Sequence, residues 1–222
     1  VQTCALPICS KDEAKRLADS LQKKGVRVEV FTADLGDAVA VQALIPQITQ
    51  QWQAPIVLIN NASVFENDSA DLVDPVFFDR MMAVNLRAPA LLAASFAQAL
   101  QPSGQGVIIN LIDQRVWKLT PQFYSYTLSK AALWAATQTM AQSFAPHIRV
   151  NAIGPGPVLP NGPQGEGAFA KEVAGLPLAR SVDPEEIATA VAYLLAARSV
   201  TGQMVAVDGG QHLGWRTPDI ID

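Results

Sequence analysis

Residues 55–63 read P-I-V-L-I-N-N-A-S, an apolar run followed by small and polar residues. Five consecutive apolar residues, 55–59, are typical of a parallel strand that is covered on both faces. Residues 106–112 (GVIINLI) predict another buried strand, and residues 148–153 (IRVNAI) predict a further one. The sequence therefore predicts a buried parallel sheet, with Asn60–Ser63 at the carboxyl end of its first such strand.

Helical patterns separate these strands. Apolar spacing and capping residues predict helices over residues 10–25, 38–51, 75–86, 88–100, 123–144 and 183–197. Alternating valines predict a further strand over residues 26–32, and residues 205–207 form a last one. Residues 154–167 hold five Gly and four Pro, which predicts a long loop. The alternation indicates a doubly wound parallel α/β sheet with helices on both faces, where ligands bind beyond the carboxyl ends of the strands.

Composition excludes several classes of protein. The 222 residues are 50% hydrophobic and 16% charged, which fits one globular domain. A net charge of −4 without a basic cluster argues against nucleic acid as a partner. No apolar run reaches the roughly 18 residues of a membrane helix, and no signal peptide is evident, so a cytoplasmic protein is expected. Two Cys and two His cannot assemble a zinc cluster, so no metal is expected.

The pair Tyr126 and Lys130 gives the strongest indication of catalytic chemistry in the sequence. Their four-residue spacing on a predicted helix places a phenol and an ammonium on one face, about 5–6 Å apart. A fixed cation favours phenolate, so the pKa of Tyr126 is expected to fall toward the range of a proton-transfer group. A surface lysine beside a half-buried tyrosine, without catalysis, is the alternative.

Five features in one order resemble the short-chain dehydrogenase/reductase family. They are Asn60–Ser63, Asn85, the pair Tyr126 and Lys130, Pro155-Gly156, and Asp208–Gly210. The resemblance extends from Ser10 to the C-terminus and implies a Rossmann-like fold and hydride transfer with a nicotinamide cofactor. It also implies homodimers or homotetramers that form through the helices at residues 88–100 and 123–144.

The resemblance implies a role for each matching residue. Tyr126 would donate the proton, Lys130 would hold the nicotinamide ribose and lower the pKa of the tyrosine, and Asn85 would link Lys130 to a water relay. Asp34 would accept a hydrogen bond from the adenine amino group. The full set implied to bind the cofactor is Ser10, Asp34, Leu35, Asn61, Ala62, Ser63, Tyr126, Lys130, Pro155 and Gly156.

Asp113 departs from the family pattern. Most members have a serine thirteen residues before the tyrosine, where this chain has Asp113. A carboxylate only accepts hydrogen bonds and would repel the alkoxide that forms when a ketone is reduced. It suits a substrate that presents N–H groups and receives a proton on nitrogen, as in reduction of a ring C=N bond. Alternatively, Asp113 only caps the loop after the strand.

Pteridine reductases of this family share the Asp, Tyr and Lys at the same spacing, together with Asn-Ala-Ser. Phe65 matches the phenylalanine that stacks on the pterin ring in those enzymes. The resemblance implies Phe65, Asp113 and Tyr126 as substrate contacts and NADPH as the cofactor, with NADH not excluded. Val158 departs from the serine found there, and Phe65 as a packed loop aromatic is the alternative.

Two other functions remain open. One is a generic alcohol or 3-oxoacyl dehydrogenase acting on C=O. The other is an incompetent fragment, because no strand and glycine-rich turn that could receive a pyrophosphate stand before Ser10. Residues 1–9, VQTCALPIC, lack any periodicity and contain Pro7. The hypothesis is that this segment is non-native and precedes a single domain, residues 10–222, that lacks its first β-α unit.

Overall fold

The computed structural model describes residues 11–100, 104–160 and 165–215. Seven α-helices lie in these ranges: α1 (Lys11–Lys23), α2 (Ala38–Gln51), α3 (Pro75–Met82), α4 (Ala88–Ala99), α5 (Tyr124–Ser143), α6 (Gly165–Ala174) and α7 (Pro184–Ala196). A π-helical turn, Ala83–Arg87, joins α3 to α4. The helices predicted at residues 75–86 and 88–100 are therefore one continuous helical stretch with a local change of hydrogen-bonding pattern.

Four parallel strands form one sheet in the described part of the chain, in the order β1-β2-β3-β4. They are β1 (Val57–Asn60), β2 (Gly106–Leu111), β3 (Ile148–Pro155) and β4 (Met204–Val207). Asn60 pairs with Asn110, and Asn110 pairs with Ala152. The carboxyl ends of β1, β2 and β3 consequently open at one edge of the sheet.

Helices cover both faces of the sheet, as predicted. On one face Ile108 packs with Phe96 of α4. On the other face Ile109 packs with Leu194 of α7. Successive strand residues point to opposite faces, so two covered faces favour apolar residues at most positions along a strand. The parallel α/β fold inferred from these runs is confirmed.

Two predicted boundaries are wrong. Strand β3 continues to Pro155 and α6 begins at Gly165, so the loop predicted over residues 154–167 is shorter at both ends. Proline fits at this place because Gly156 N–H donates to Val207 on β4, which points the nitrogen of Pro155 away from β4. Strand β2 ends its pairing with β3 at Ile153, so no ladder bond is lost at Pro155.

The strand predicted over residues 26–32 is not part of the sheet. The segment has no regular secondary structure and belongs to no ladder among the described residues. A groove of about 700 Å³ separates it from β1, with apolar side chains such as Leu44, Ile48 and Leu92 in its lining. The strand predicted from the alternating valines is therefore wrong, because strand pairing also needs a neighbour within hydrogen-bonding distance. The hypothesis about residues 1–9 lies outside the described residues.

Candidate active site

A cleft of about 370 Å³ lies beyond the carboxyl ends of β2 and β3. Its walls come from the loop after β1, the turn after β2, the start of α5 and the segment after β3. The lining residues that carry the chemistry are Phe65, Asp113, Gln114, Arg115, Tyr126 and Val158. The structure therefore brings together all three residues expected to contact the substrate.

Asp113 uses its two carboxylate oxygens differently. Oδ1 accepts a hydrogen bond from the backbone N–H of Arg115 at 2.7 Å and caps the short 3₁₀ helix Gln114–Val116. Oδ2 accepts a hydrogen bond from the Tyr126 hydroxyl at 3.1 Å. The capping role offered as an alternative is present, and it leaves the second oxygen facing the phenol.

Lys130 lies beside Tyr126, as the four-residue spacing predicts. Its Nζ is 5.7 Å from the centroid of the Tyr126 ring and donates to the carbonyl of Leu111 at 2.8 Å. Lys130 is buried, with 2% of its surface exposed. An ammonium has three N–H donors, so this bond leaves donors for a ligand at the end of β2.

The electrostatics of the site differ from the expectation for Tyr126. Burial raises the pKa of Tyr126 well above its usual value, and the neighbouring Asp113 carboxylate raises it further. The expected lowering of the tyrosine pKa is therefore wrong for this arrangement. Burial also lowers the pKa of Lys130 to about 8, against the opposing effect of Asp113.

Asp113 itself has a raised pKa. Burial is the largest cause, and hydrogen bonding from the Arg115 backbone and the charge of Arg115 oppose it. Burial penalises the charged form of every group here, which keeps the phenol protonated and brings the carboxyl closer to protonation. The site consequently holds two adjacent groups that can carry a proton.

Asn85 lies in the π-helical turn and is fully buried. Its Oδ1 accepts hydrogen bonds from the Val64 N–H at 2.8 Å and the Ser63 hydroxyl at 3.1 Å. Its Nδ2 donates to the Val64 carbonyl at 2.9 Å and the Ser129 hydroxyl at 3.1 Å. Asn85 thus joins the loop after β1 to α5, and its link to Lys130 through a water relay stays a prediction.

Phe65 belongs to an aromatic cluster at the mouth of the cleft. Its ring stacks on Phe123 at 4.5 Å with planes 7° apart and meets Tyr126 edge-on at 4.7 Å. The ring is 36% exposed, so Phe65 is both a packed loop aromatic and a surface available to a flat ligand. Stacking on a pterin ring stays a prediction.

The residues expected to bind the cofactor lie in several places. Asn61, Ala62 and Ser63 follow β1 directly, while Pro155 and Gly156 are at the end of β3. A Cβ on Gly156 would come within 2.6 Å of the Asp208 backbone, so close packing requires glycine there.

The remaining cofactor predictions fall on the loop before α2 and on the N-terminus. Asp34 is exposed and its Oδ1 accepts from the Gly36 N–H at 2.8 Å. The Leu35 side chain is buried in the core, so only its backbone is available to a ligand. Ser10 lies outside the described residues.

Sequence reasoning missed residues that position or line the cleft. Asn67 accepts from the Phe123 N–H at 3.1 Å, and Asp68 accepts from both the backbone N–H and the hydroxyl of Ser125. These two side chains hold the first turn of α5, more than fifty residues further along the chain. Gln114 and Arg115 were also missed, although they directly follow Asp113.

Comparison with known proteins identifies the family to which the chain belongs. The sequence profile of the family described as enoyl-(acyl carrier protein) reductase matches residues 3–212. Galactitol 2-dehydrogenase of Rhizobium johnstonii is 30% identical over 93% of this chain and 84% of its own length. The chain belongs to the short-chain dehydrogenase/reductase family, whose members are NAD(P)-dependent oxidoreductases.

Solved structures give the same fold. FolM alternative dihydrofolate reductase 1 from Brucella canis, in complex with NADP, is 45% identical with a TM-score of 0.93, covering 100% of this chain and 87% of that chain. A blue fluorescent protein from a metagenomic library, in complex with NADPH, is 31% identical with a TM-score of 0.85, covering 95% and 86%. A Rossmann-like fold is thereby established for the chain.

Across residues 11–100, 104–160 and 165–215, no helix has the length and apolar character to cross a membrane. The same ranges contain no group of three or more His, Cys, Asp or Glu side chains arranged to hold a metal ion.

Replacing Asn85 by alanine is expected to lower the free energy of unfolding by about 2 to 4 kcal/mol, because it leaves the buried N–H and carbonyl of Val64 without partners. Urea denaturation followed by circular dichroism measures the change. The control is Asn67→Ala, which removes one bond at an exposed position and should cost less than about 1 kcal/mol. Equal losses for the two variants would contradict the role given to Asn85.

Proposed function

We propose that the protein is an NADPH-dependent reductase that reduces a ring C=N bond of a pterin-like substrate, such as a dihydropterin or dihydrofolate. The observation that carries the proposal is the hydrogen bond of the Tyr126 hydroxyl to Asp113 Oδ2, which pairs a proton donor with a carboxyl at the mouth of the cleft. The likeness to FolM, named as an alternative dihydrofolate reductase and bound to NADP, supports both substrate and cofactor.

The donors at the ends of β1 and β2 fit the nicotinamide half of the cofactor. Lys130 retains N–H donors beyond its bond to Leu111, and the exposed Asn61 carries an amide with two N–H donors. Such donors match the oxygen-rich diol of a ribose. The Ser63 hydroxyl already donates to Asn85, so Ser63 can only accept from the ribose. Lys130, Asn61 and Ser63 would hold this half, with the backbone of Pro155-Gly156 opposite. When bound, NADPH supplies the hydride.

Tyr126 and Asp113 supply the proton. As hydride adds to the carbon of the C=N bond, the electron pair moves to the nitrogen, which takes a proton from the Tyr126 hydroxyl. With its raised pKa, Tyr126 is a neutral phenol that carries this proton. Asp113, whose pKa is also raised, is the adjacent group through which the phenol regains a proton from water.

Asp113 also favours nitrogen over oxygen as the protonated atom. A ketone would develop negative charge on oxygen next to Asp113, whose carboxylate form repels that charge. A ring with N–H groups instead offers donors to the same carboxyl. The carboxyl at this position therefore supports C=N reduction over C=O reduction.

The substrate class is tested by following NADPH oxidation at 340 nm with dihydropterin, dihydrofolate, a polyol-derived ketone and a 3-oxoacyl thioester. We expect turnover of the first two, and a loss of about 100-fold in kcat/KM for dihydropterin in Asp113→Ser, which removes one group from the proton path. Ketone or thioester turnover without dihydropterin turnover would establish the alternative dehydrogenase. Absence of NADPH binding by calorimetry would establish the incompetent fragment.

The pH dependence of kcat/KM tests the charge on Lys130. If the ammonium is needed, activity falls as the pH rises through the lysine pKa of about 8. This fall is the descending limb of the pH profile of kcat/KM. Because Asp113 raises the pKa of Lys130, the variant Asp113→Asn should move the descending limb to lower pH. Glu186→Gln, which alters an exposed carboxylate paired with Arg180, is the control and should leave the limb in place. A limb that stays unmoved in Asp113→Asn would contradict the coupling.

We further propose that copies of the chain associate through α4 and α5. The twelve residues of α4 contain no charged side chain, and the single charge among the twenty residues of α5 is the buried Lys130. Long helices without exposed charge are typical of interfaces between subunits. Sedimentation velocity should show that the parent protein is a dimer or tetramer. The variant Ala135→Glu, which places a charge at an exposed position of α5, should be a monomer. A monomeric parent protein would contradict this proposal.

A further inference from the structure

Phe123 has a backbone conformation that phenylalanine rarely adopts. Its φ of 57° and ψ of 46° are those of a left-handed helix, in which a Cβ crowds the following carbonyl oxygen. For a bulky residue this conformation is a genuine outlier and destabilises the fold. Among the residues that the structure describes, Ala179 is the other non-glycine residue with a positive φ, 50°.

Phe123 is also an unusual residue at the start of a helix. It precedes α5, and its side chain makes no capping hydrogen bond. The residues that precede α2, α3 and α7 have extended backbones and cap their helices through a carboxylate; they are Asp37, Asp74 and Asp183. At α5 the loop after β1 supplies the acceptors, since Asn67 accepts from the Phe123 N–H and Asp68 from the Ser125 N–H. Capping of α5 therefore gives no reason for a phenylalanine at this position.

The contacts of the Phe123 ring supply a reason. The ring stacks on Phe65, with centroids 4.5 Å apart and planes 7° apart, and the Arg115 guanidinium lies 5.0 Å from its centroid. All three side chains line the cleft. Phe123 also packs against the core cluster that contains Val64 and Tyr126, but any apolar side chain could fill that space. The contact that needs an aromatic ring is the stack on Phe65.

We infer that Phe123 is a positioning residue, which holds the plane of the partly exposed Phe65 ring ready for a flat substrate ring. The inference rests on the proposed function, which supplies the flat ring. Ordering a free side chain when a ligand binds lowers affinity, and a ring that is already held in place avoids this loss. The strained turn at Phe123 is retained because it places one ring against the other.

A double-mutant cycle tests whether Phe123 acts through Phe65. Fluorescence titration with NADP present gives the Kd of pterin for the parent protein, Phe123→Leu, Phe65→Leu and the double variant. Leucine keeps an apolar side chain against the core, so a packing role alone leaves the Kd unchanged. We expect Phe123→Leu to raise the Kd about 3- to 10-fold in the parent protein. In the Phe65→Leu background the same change should raise it less than about 2-fold, because no ring is left to position.

Further variants separate the ring from the backbone strain. Phe123→Tyr keeps the ring and should retain the Kd of the parent protein. Phe123→Gly and Phe123→Ala both remove the ring and should weaken binding equally, but the glycine variant should have a Tm about 2 to 4 °C higher because glycine accepts a positive φ. The matched control is Ala179→Gly, which relieves the same strain outside the cleft lining and should leave the Kd unchanged.

The outcomes distinguish the inference from the proposed function. An equal rise in Kd for Phe123→Leu with and without the Phe65 ring overturns the inference and leaves the proposed function intact. An unchanged Kd in Phe123→Leu does the same. Thermal denaturation checks folding, and Phe123→Gly, whose backbone is unstrained, takes the place of Phe123→Leu in the cycle if the leucine variant does not fold. Failure of the parent protein to bind pterin overturns both.

Discussion

The side chain of Asn85 is the contact on which the site depends. Its amide satisfies the backbone of Val64 on one side and Ser129 on the other, and Ser129 in turn donates to the carbonyl of Tyr126 at 2.7 Å. The turn that carries Asn85 is π-helical, a local geometry that is frequent at functional sites. One buried amide thereby fixes the distance between the loop after β1 and the helix that carries Tyr126 and Lys130.

A second set of hydrogen bonds between buried side chains fixes the positions of the strands. Asn60 donates to Asn110 at 2.8 Å, Asn110 donates to Thr137 at 2.8 Å, and Thr137 donates to the carbonyl of Leu133 at 2.8 Å. All these side chains are buried, where a satisfied hydrogen bond is strong and a broken one is costly. These linked hydrogen bonds connect the ends of β1 and β2 to α5 at the level of the cleft. Apolar packing holds the sheet together, and these bonds align its functional edge.

The sequence predicts this architecture well where a feature depends on residues that are close together along the chain. Apolar runs identify strands that are covered on both faces, and the spacing of Tyr126 and Lys130 places them on one side of α5. The sign of the Tyr126 pKa shift could not be predicted, because it depends on burial and on Asp113, which folding brings to the phenol. Asp68 was missed for the same reason: its carboxylate accepts from the first turn of α5, more than fifty positions further along the chain, and such a contact has no signature in the sequence.

Among the described residues no strand pairs with the outer edge of β1, and this has a consequence for handling the protein. Backbone N–H and C=O groups along Val57–Asn60 face the groove, and Ile56 and Ile59 are 65% and 42% exposed. A strand edge of this kind is a template onto which another extended chain can add, in the manner of cross-β stacking. Where no extended segment is seated in the groove, the protein is expected to aggregate in concentrated solution through this edge, which shares no lining residue with the candidate active site.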